Sequence, residues 1–343
     1  MLDARRWLVR LSVAAVVLGP RGALGRDCTP ATRQSTCFDA DTLWIPASPS
    51  QFIGIPATRT LGVHRFSLGF DATYLSEPVV LSATSPDPAG RRLLVVDDVV
   101  DAALSGAFSP LEHLELTAVL PMSLYRTGTG TTGVTSQNGS DIPVAALRDV
   151  RLGAAHDLLL GHPGAPDYDV SAVSRLELSL PTGGASSFAG AGTFVVAPSF
   201  ALGLRAGIVF ASTEQGLRLF RGTSFAGARL GATFISSLGA GVDVLPANAL
   251  SIAVEVWVRP ELFSQTRALF DGTVVTSDVE VPAEWMASLR TESGPFRVSL
   301  GGGMEIPLSS RTERATDGTE SSQSFSAITA PRFRFALVLR YAP

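Results

Sequence analysis

The chain has 343 residues, of which 45% are hydrophobic and only 17% charged, with a formal net charge of −4. Its mean hydropathy is positive, yet no window offers the roughly 18 uncharged apolar residues that a spanning helix needs. That excludes a helical membrane protein and leaves a large buried core or strands whose apolar residues face lipid. The arginines alternate with acids and form no basic patch, so nucleic acid is not expected as a partner.

Residues 1–25 have the pattern of a secretory signal peptide: Arg5, Arg6 and Arg10, then the short apolar run Leu11 to Gly19, then Ala23-Leu24-Gly25 as a small-x-small cleavage site. Removing them strips four arginines and one aspartate, so the mature chain carries about −7. Export into an oxidising compartment bears on the two cysteines, Cys28 and Cys37, which are close enough in sequence to close a small disulfide loop. Two cysteines alone do not argue for a metal site, and none is expected. Residues 26–60 form an N-terminal periplasmic extension. Within it Trp44, Ile45, Phe52, Ile53 and Ile55 lie among prolines and serines, which is unlike a membrane strand. So much apolar surface rarely stays solvated, so the expectation is a plug docked in whatever follows.

From residue 61 to 343 the dominant signal is alternation. Phe66, Leu68, Phe70, Ala72 and Tyr74 oppose Arg65, Ser67, Asp71 and Thr73. Leu176, Leu178 and Leu180 oppose Arg175, Glu177 and Ser179, and Ile252, Val254, Val256 and Val258 oppose Glu255 and Arg259. At the end, Phe333, Phe335, Leu337, Leu339 and Tyr341 oppose Arg332, Arg334 and Arg340. A strand puts such charges on one side, whereas a helix would spread them around its surface. The pattern predicts about twelve strands: 61–75, 93–107, 111–125, 146–160, 169–181, 193–204, 206–221, 228–245, 249–262, 281–292, 295–307 and 330–342.

The connections alternate in length. Tight turns are expected near Ser109-Pro110, at Arg205, at Pro246-Ala247-Asn248 and at Ser293-Gly294-Pro295, with a longer one over Gly161–Tyr168. Polar links at 76–92, 126–145, 263–280 and 308–329 fall between them. Short turns at one end and long loops at the other are the habit of transmembrane β-barrels, and an even strand count puts both termini on the short-turn, periplasmic side. Aromatic residues near strand ends (Phe66, Tyr74, Phe108, Tyr125, Tyr341) fit interfacial girdles. The fold class is therefore all-β, a single antiparallel up-and-down transmembrane barrel in the outer membrane of a Gram-negative bacterium. Its expected partners are outer-membrane lipids and the barrel-insertion machinery.

The segment Leu178–Pro198 and the run Phe108–Leu116 with Leu120-Pro121 resemble the N-terminal barrel of outer-membrane proteins of the outer-membrane protein A type. They are also similar to barrels of the phenol-degradation or transport-like outer-membrane proteins. The resemblance implies the same kind of barrel from about residue 40 onward, and it speaks to the fold much more than to any activity. It implies no cell-wall anchoring, because after the last strand the sequence offers nothing like the periplasmic domain of the protein A type.

On the polar face, Arg65, Asp71, Asp97, Asp101, Arg151, Arg175, Glu177, Glu255, Arg297, Arg332 and Arg334 are the candidate lumen-lining charges. They would fill the barrel with ion pairs or line a water-filled path. A hydrolase needs a nucleophile, a base and an orienting group. Of His64, His113, His156 and His162, His156 is the one expected within a strand beside a carboxylate, Asp157, and adjacent strand residues point to opposite faces. No catalytic residue and no cofactor is expected. The leading reading is a passive porin- or channel-like protein. A structural or surface-interaction barrel with a plugged lumen is the alternative, and a salt-bridged interior would favour it.

Overall fold

A computed structural model describes residues 35–343 apart from 84–90, 133–140, 160–167, 185–186, 226–227, 246–248, 263–264, 269–273, 278–280, 307–312, 316–319 and 322–329. Twelve long strands follow one another: β1 (Phe66–Ala83), β2 (Arg91–Leu111), β3 (Leu114–Arg126), β4 (Arg151–Leu159), β5 (Asp169–Ser179), β6 (Val195–Ala206), β7 (Val209–Phe220), β8 (Thr233–Leu245), β9 (Leu250–Val258), β10 (Ala283–Ser293), β11 (Phe296–Glu305) and β12 (Phe333–Tyr341). Each pairs antiparallel with the next, and β1 pairs with β12 from Leu68↔Tyr341 to Ser76↔Phe333, which closes the barrel. Closure leaves no edge strand, the condition for a sheet that no water can satisfy.

Alternation decides which side faces out. On β1, Ser67, Asp71 and Thr73 are buried while Leu68 and Phe70 are exposed. On β9, Ser251, Ala253 and Glu255 are buried while Ile252 and Val254 are exposed. The wall is thus apolar outside and polar inside, the reverse of a soluble domain. Phe66, Phe296 and Tyr341 cluster at the short-turn end, with ring centroids 6.2 and 5.2 Å from Tyr341.

Two hairpins of this end use two-residue loops that begin with a glycine at positive φ, Gly207 (57°) and Gly294 (59°). Such primed turns match the right-handed twist of the flanking strands. The first hairpin turns at Glu112-His113 instead, three residues after the expected Ser109-Pro110, because Ser109 still pairs with Arg65. The expected turn at Pro246–Asn248 and all but Tyr168 of the one at Gly161–Tyr168, His162 included, lie outside the described residues.

The long-loop end differs from expectation. Residues 76–83 and 91–92 are strand and not loop: β1 and β2 stay paired from Ser76↔Asp98 to Ala83↔Arg91, with irregularities around Pro78. Leu75, Val79, Leu81, Val95, Val96 and Val99 turn inward there and bury against Phe38, Phe188 and Phe225. The apolar reward lies inside at this level, so pairing continues past the belt. Residues 146–160 are not one strand. Ala146–Leu147 pairs with β3, the chain breaks at 148–150, and β4 starts at Arg151 opposite Val119. Residues 228–245 also divide: Ala228–Leu230 pairs with Thr223–Phe225 in a separate hairpin. A four-stranded sheet of 265–268, 274–277, 313–315 and 320–321 occupies the loops after β9 and β11.

Candidate functional site: a segment threaded through the lumen

Residues 38–61 run through the barrel from its long-loop end to its short-turn end before β1 begins. Their contacts follow the wall down. Phe38 meets Phe188 and Phe225 at the long-loop mouth, with centroids 5.1 and 5.2 Å away. Leu43 and Ile45 pack with Trp257, Met286 and Val338 in mid-barrel. Phe52 and Ile55 pack with Phe210 and Ala253. Near the short-turn end Thr60 N–H donates to Asp157 at 2.9 Å and Leu61 N–H to Glu115 at 3.0 Å.

The segment is irregular, so its backbone polar groups need partners other than a ladder. The wall supplies them. Arg218 donates to Thr42 O (2.6 Å), Arg151 to Ile45 O (3.0 Å), Arg340 to Pro46 O (2.6 Å) and Arg175 to Ala57 O (2.6 Å). Glu255 accepts three successive N–H groups, from Ile53, Gly54 and Ile55, at 3.0, 2.9 and 3.2 Å.

Above these lies an ionic cluster. Arg148 pairs with Asp39 (2.8 Å), Asp41 (3.2 Å) and Asp101 (2.7 Å). Arg334 bridges Asp41 (2.9 Å) and Glu284 (2.8 Å). Burial alone would raise the Asp41 carboxyl, but the Arg334 and Arg148 guanidiniums outweigh it and hold the group well below the usual carboxylate range. The break at 148–150 matters here, because leaving the strand lets Arg148 turn inward to three carboxylates. Glycine makes room where the segment nears the wall: a Cβ on Gly239 would meet Phe52 Cε1 at 2.5 Å.

Of the sequence candidates, the structure places Asp71, Asp101, Arg151, Arg175, Glu255 and Arg334 deeply buried on the lumen side, and Glu177 half-buried, 3.6 Å from Arg151. Asp71 pairs with Arg340. Three others lie toward the barrel ends. Arg65 is exposed in the turn before β1, Arg332 is exposed and pairs with Glu77 at 3.1 Å, and Arg297 pairs with Glu292 at 2.8 Å near the short turn. Arg65 and Arg332 therefore do not line the lumen, because both precede the strands whose alternation would turn them inward. Asp97 is half-buried on the overhanging hairpin, where its N–H donates to Thr127 O.

Sequence reading did not single out Glu115, Arg148, Arg218, Glu284 or Arg290. Glu115, flanked by Leu114 and Leu116, carried the alternation signal, while Arg148 sits where the strand breaks and carried none. Cys37 is disulfide-bonded, and Cys28 and the signal-like residues 1–25 lie outside the described residues.

The histidine beside a carboxylate is His113, not His156: its Nδ1 stands 3.5 Å from Asp157 across the β3–β4 pair, and its Nε2 lies 3.6 Å from Glu112. His156 faces outward. An acid on each side of His113 is not the nucleophile–base–orienter arrangement.

A cavity of about 140 Å³ lies beside the threaded segment in the long-loop half, bordered by Trp44, Arg148, Arg151, Arg218 and Arg259. A smaller one of about 30 Å³ lies below it, bordered by Arg175, Glu177, Glu214 and again Arg218 and Arg259.

No family model matches the chain, and no curated protein matches it in sequence. Solved structures do. The COG4313 outer membrane channel from Pseudomonas putida F1 superposes with a TM-score of 0.57 at 10% identity, covering 86% of this chain and 99% of that one. The β domain of the Bordetella autotransporter BrkA reaches 0.38 at 11% identity, over 82% of this chain and 100% of that one. OccAB3 of Acinetobacter baumannii reaches 0.30 at 9%, over 82% and 99%. The first shows that this barrel fold is one used by an outer-membrane channel; the other two scores are too low to carry an argument. None of the three is of the outer-membrane protein A type, so that narrower resemblance gains nothing from them.

Proposed function

We propose that the protein is a passive channel for small solutes in a Gram-negative outer membrane, stoppered at rest by its own residues 38–61. The short-turn end then faces the periplasm and the long-loop end the exterior. The outward apolar face takes lipid as its solvent.

The observation that carries this reading is the division of labour inside the barrel. The lumenal wall is largely glycine, alanine and serine between its charges, and the filling comes from a separate stretch of irregular chain. A barrel meant to stay solid would be filled as stably, or more so, by apolar side chains of its own strands, since buried ion pairs offer little net stability. Arginines that grip backbone carbonyls of the stopper can exchange those bonds for water or solute when it withdraws. The same wall then becomes a charged, hydrated path.

The salt-bridged interior also favours a second reading, a permanently filled barrel whose outer loops carry the function. Single-channel conductance in a planar lipid bilayer separates the two, comparing the mature chain with a form lacking residues 26–60. The channel reading expects rare or small openings from the first and sustained ohmic steps from the second. Silence from both, with insertion verified, sinks it and leaves the filled barrel.

A further inference from the structure

Three arginines on the 140 Å³ cavity keep part of their donor capacity unused. Arg259, just after β9, is 6% exposed, and its Nε and Nη1 make no hydrogen bond. Nη1 of Arg151, also 6% exposed, makes no hydrogen bond either, though it stands 3.6 Å from Glu177, and Nε of Arg218 makes none. Arg151 and Arg218 both sit over the Trp44 ring, at 4.9 and 4.0 Å from its centroid. A guanidinium stays charged and presents its donors in a fork that fits a carboxylate. Leaving such donors dry is costly. The three are like charges around one small cavity, so they repel one another.

The carboxylates around the same cavity are already engaged. Asp39, Asp41 and Asp101 share Arg148, and Asp71 holds Arg340. Asp149 accepts the N–H groups of Gly183 and Ala191 at 2.8 and 2.7 Å. Glu261 is likewise not free. Glu177 and Glu214 border the smaller cavity below. The remaining wall is mostly apolar and includes Leu43, Ile45, Val195 and Phe220. The volume is close to the roughly 150 Å³ of an engineered cavity that accepts a benzene ring.

We propose that this cavity binds a small organic carboxylate of one-ring size, its carboxylate received by Arg259 with Arg151 and Arg218, its apolar body against the opposite wall. The proposal rests on the channel reading only for its meaning as a station on the solute's path; binding stands or falls separately.

The test is calorimetric titration of the full mature protein in detergent with sodium benzoate, and with benzyl alcohol as the neutral ligand of similar size. Saturable one-to-one binding of benzoate is expected, with benzyl alcohol at least about tenfold weaker. Arg259→Met should weaken benzoate at least about tenfold and leave benzyl alcohol unchanged, and Arg297→Gln at the short-turn rim should change neither. Equal binding of the two ligands by the unaltered protein overturns the proposal, as does unimpaired benzoate binding by Arg259→Met. Folding is checked by unheated gel migration, and Arg218→Met replaces a variant that fails to fold. Conductance is measured on the same preparation. A conducting barrel that ignores benzoate sinks the site and keeps the channel; a silent one that binds it does the reverse.

Discussion

The carboxylate of Glu255, on β9, receives the backbone N–H of Gly54 at 2.9 Å across 201 residues of sequence. The flanking N–H groups of Ile53 and Ile55 reach the same carboxylate. A hydrogen bond contributes about 0.5–1.5 kcal/mol net, and three converge on this one side chain. Glu255 is therefore a principal hold on the lower part of the stopper.

Glu255→Gln keeps the shape but turns one of the two acceptor oxygens into an N–H donor that faces backbone N–H groups. Hydrogen exchange at Ile53, Gly54 and Ile55 should speed up by about tenfold or more, from a loss of about 1.5 kcal/mol or more. The strands should keep their protection, and openings in a bilayer should become more frequent. Unchanged protection at these three amides would show that the stopper is held by its apolar contacts instead.

The part of the upper hold that Asp41 carries should resist acid. A carboxyl whose pKa is depressed by folding adds stability that is fully present above its unfolded pKa and is lost as pH falls through the folded one. For Asp41 that loss belongs below about pH 4. Protection of the Leu43 amide, which donates to Asp41 at 3.0 Å, should hold steady from about pH 8 to about pH 5 once intrinsic exchange is corrected for. Release of this amide between about pH 7 and pH 5 would place the hold on another group.

Gly239 tests steric fit. A Cβ there would lie 2.5 Å from Phe52 Cε1 and 2.9 Å from Ile55 Cδ1. Gly239→Val should cost about 1–3 kcal/mol of overpacking, relieved by withdrawal of residues 50–57. Proteolytic cleavage within 50–57 of the folded protein should then increase. Gly106→Ala is the control, since its nearest neighbour would be 3.8 Å away. Equal resistance in both variants would mean that the stopper yields without leaving.

What was legible in the sequence was whatever period two encodes. Leu176, Glu177 and Leu178 announce a strand with one apolar and one polar side, and repetition of that pattern over about twelve segments leaves a closed barrel as the economical answer. The apolar run at 43–55 also announced itself as a segment needing cover. These signals are local: each is complete within a few neighbouring residues.

Only the tertiary structure decided the partners. Arg334 meets Asp41 across 293 residues, and no local pattern links them, because their meeting depends on barrel closure and on where the threaded chain stops. Arg148 reaches the lumen through a break in pairing that its own sequence does not mark, and Arg65 and Arg332 fall outside it because alternation acts only once pairing has begun. Alternation fixes which way a side chain points within a strand. Where the strand starts, and what waits opposite, follow from pairing across the whole closed sheet.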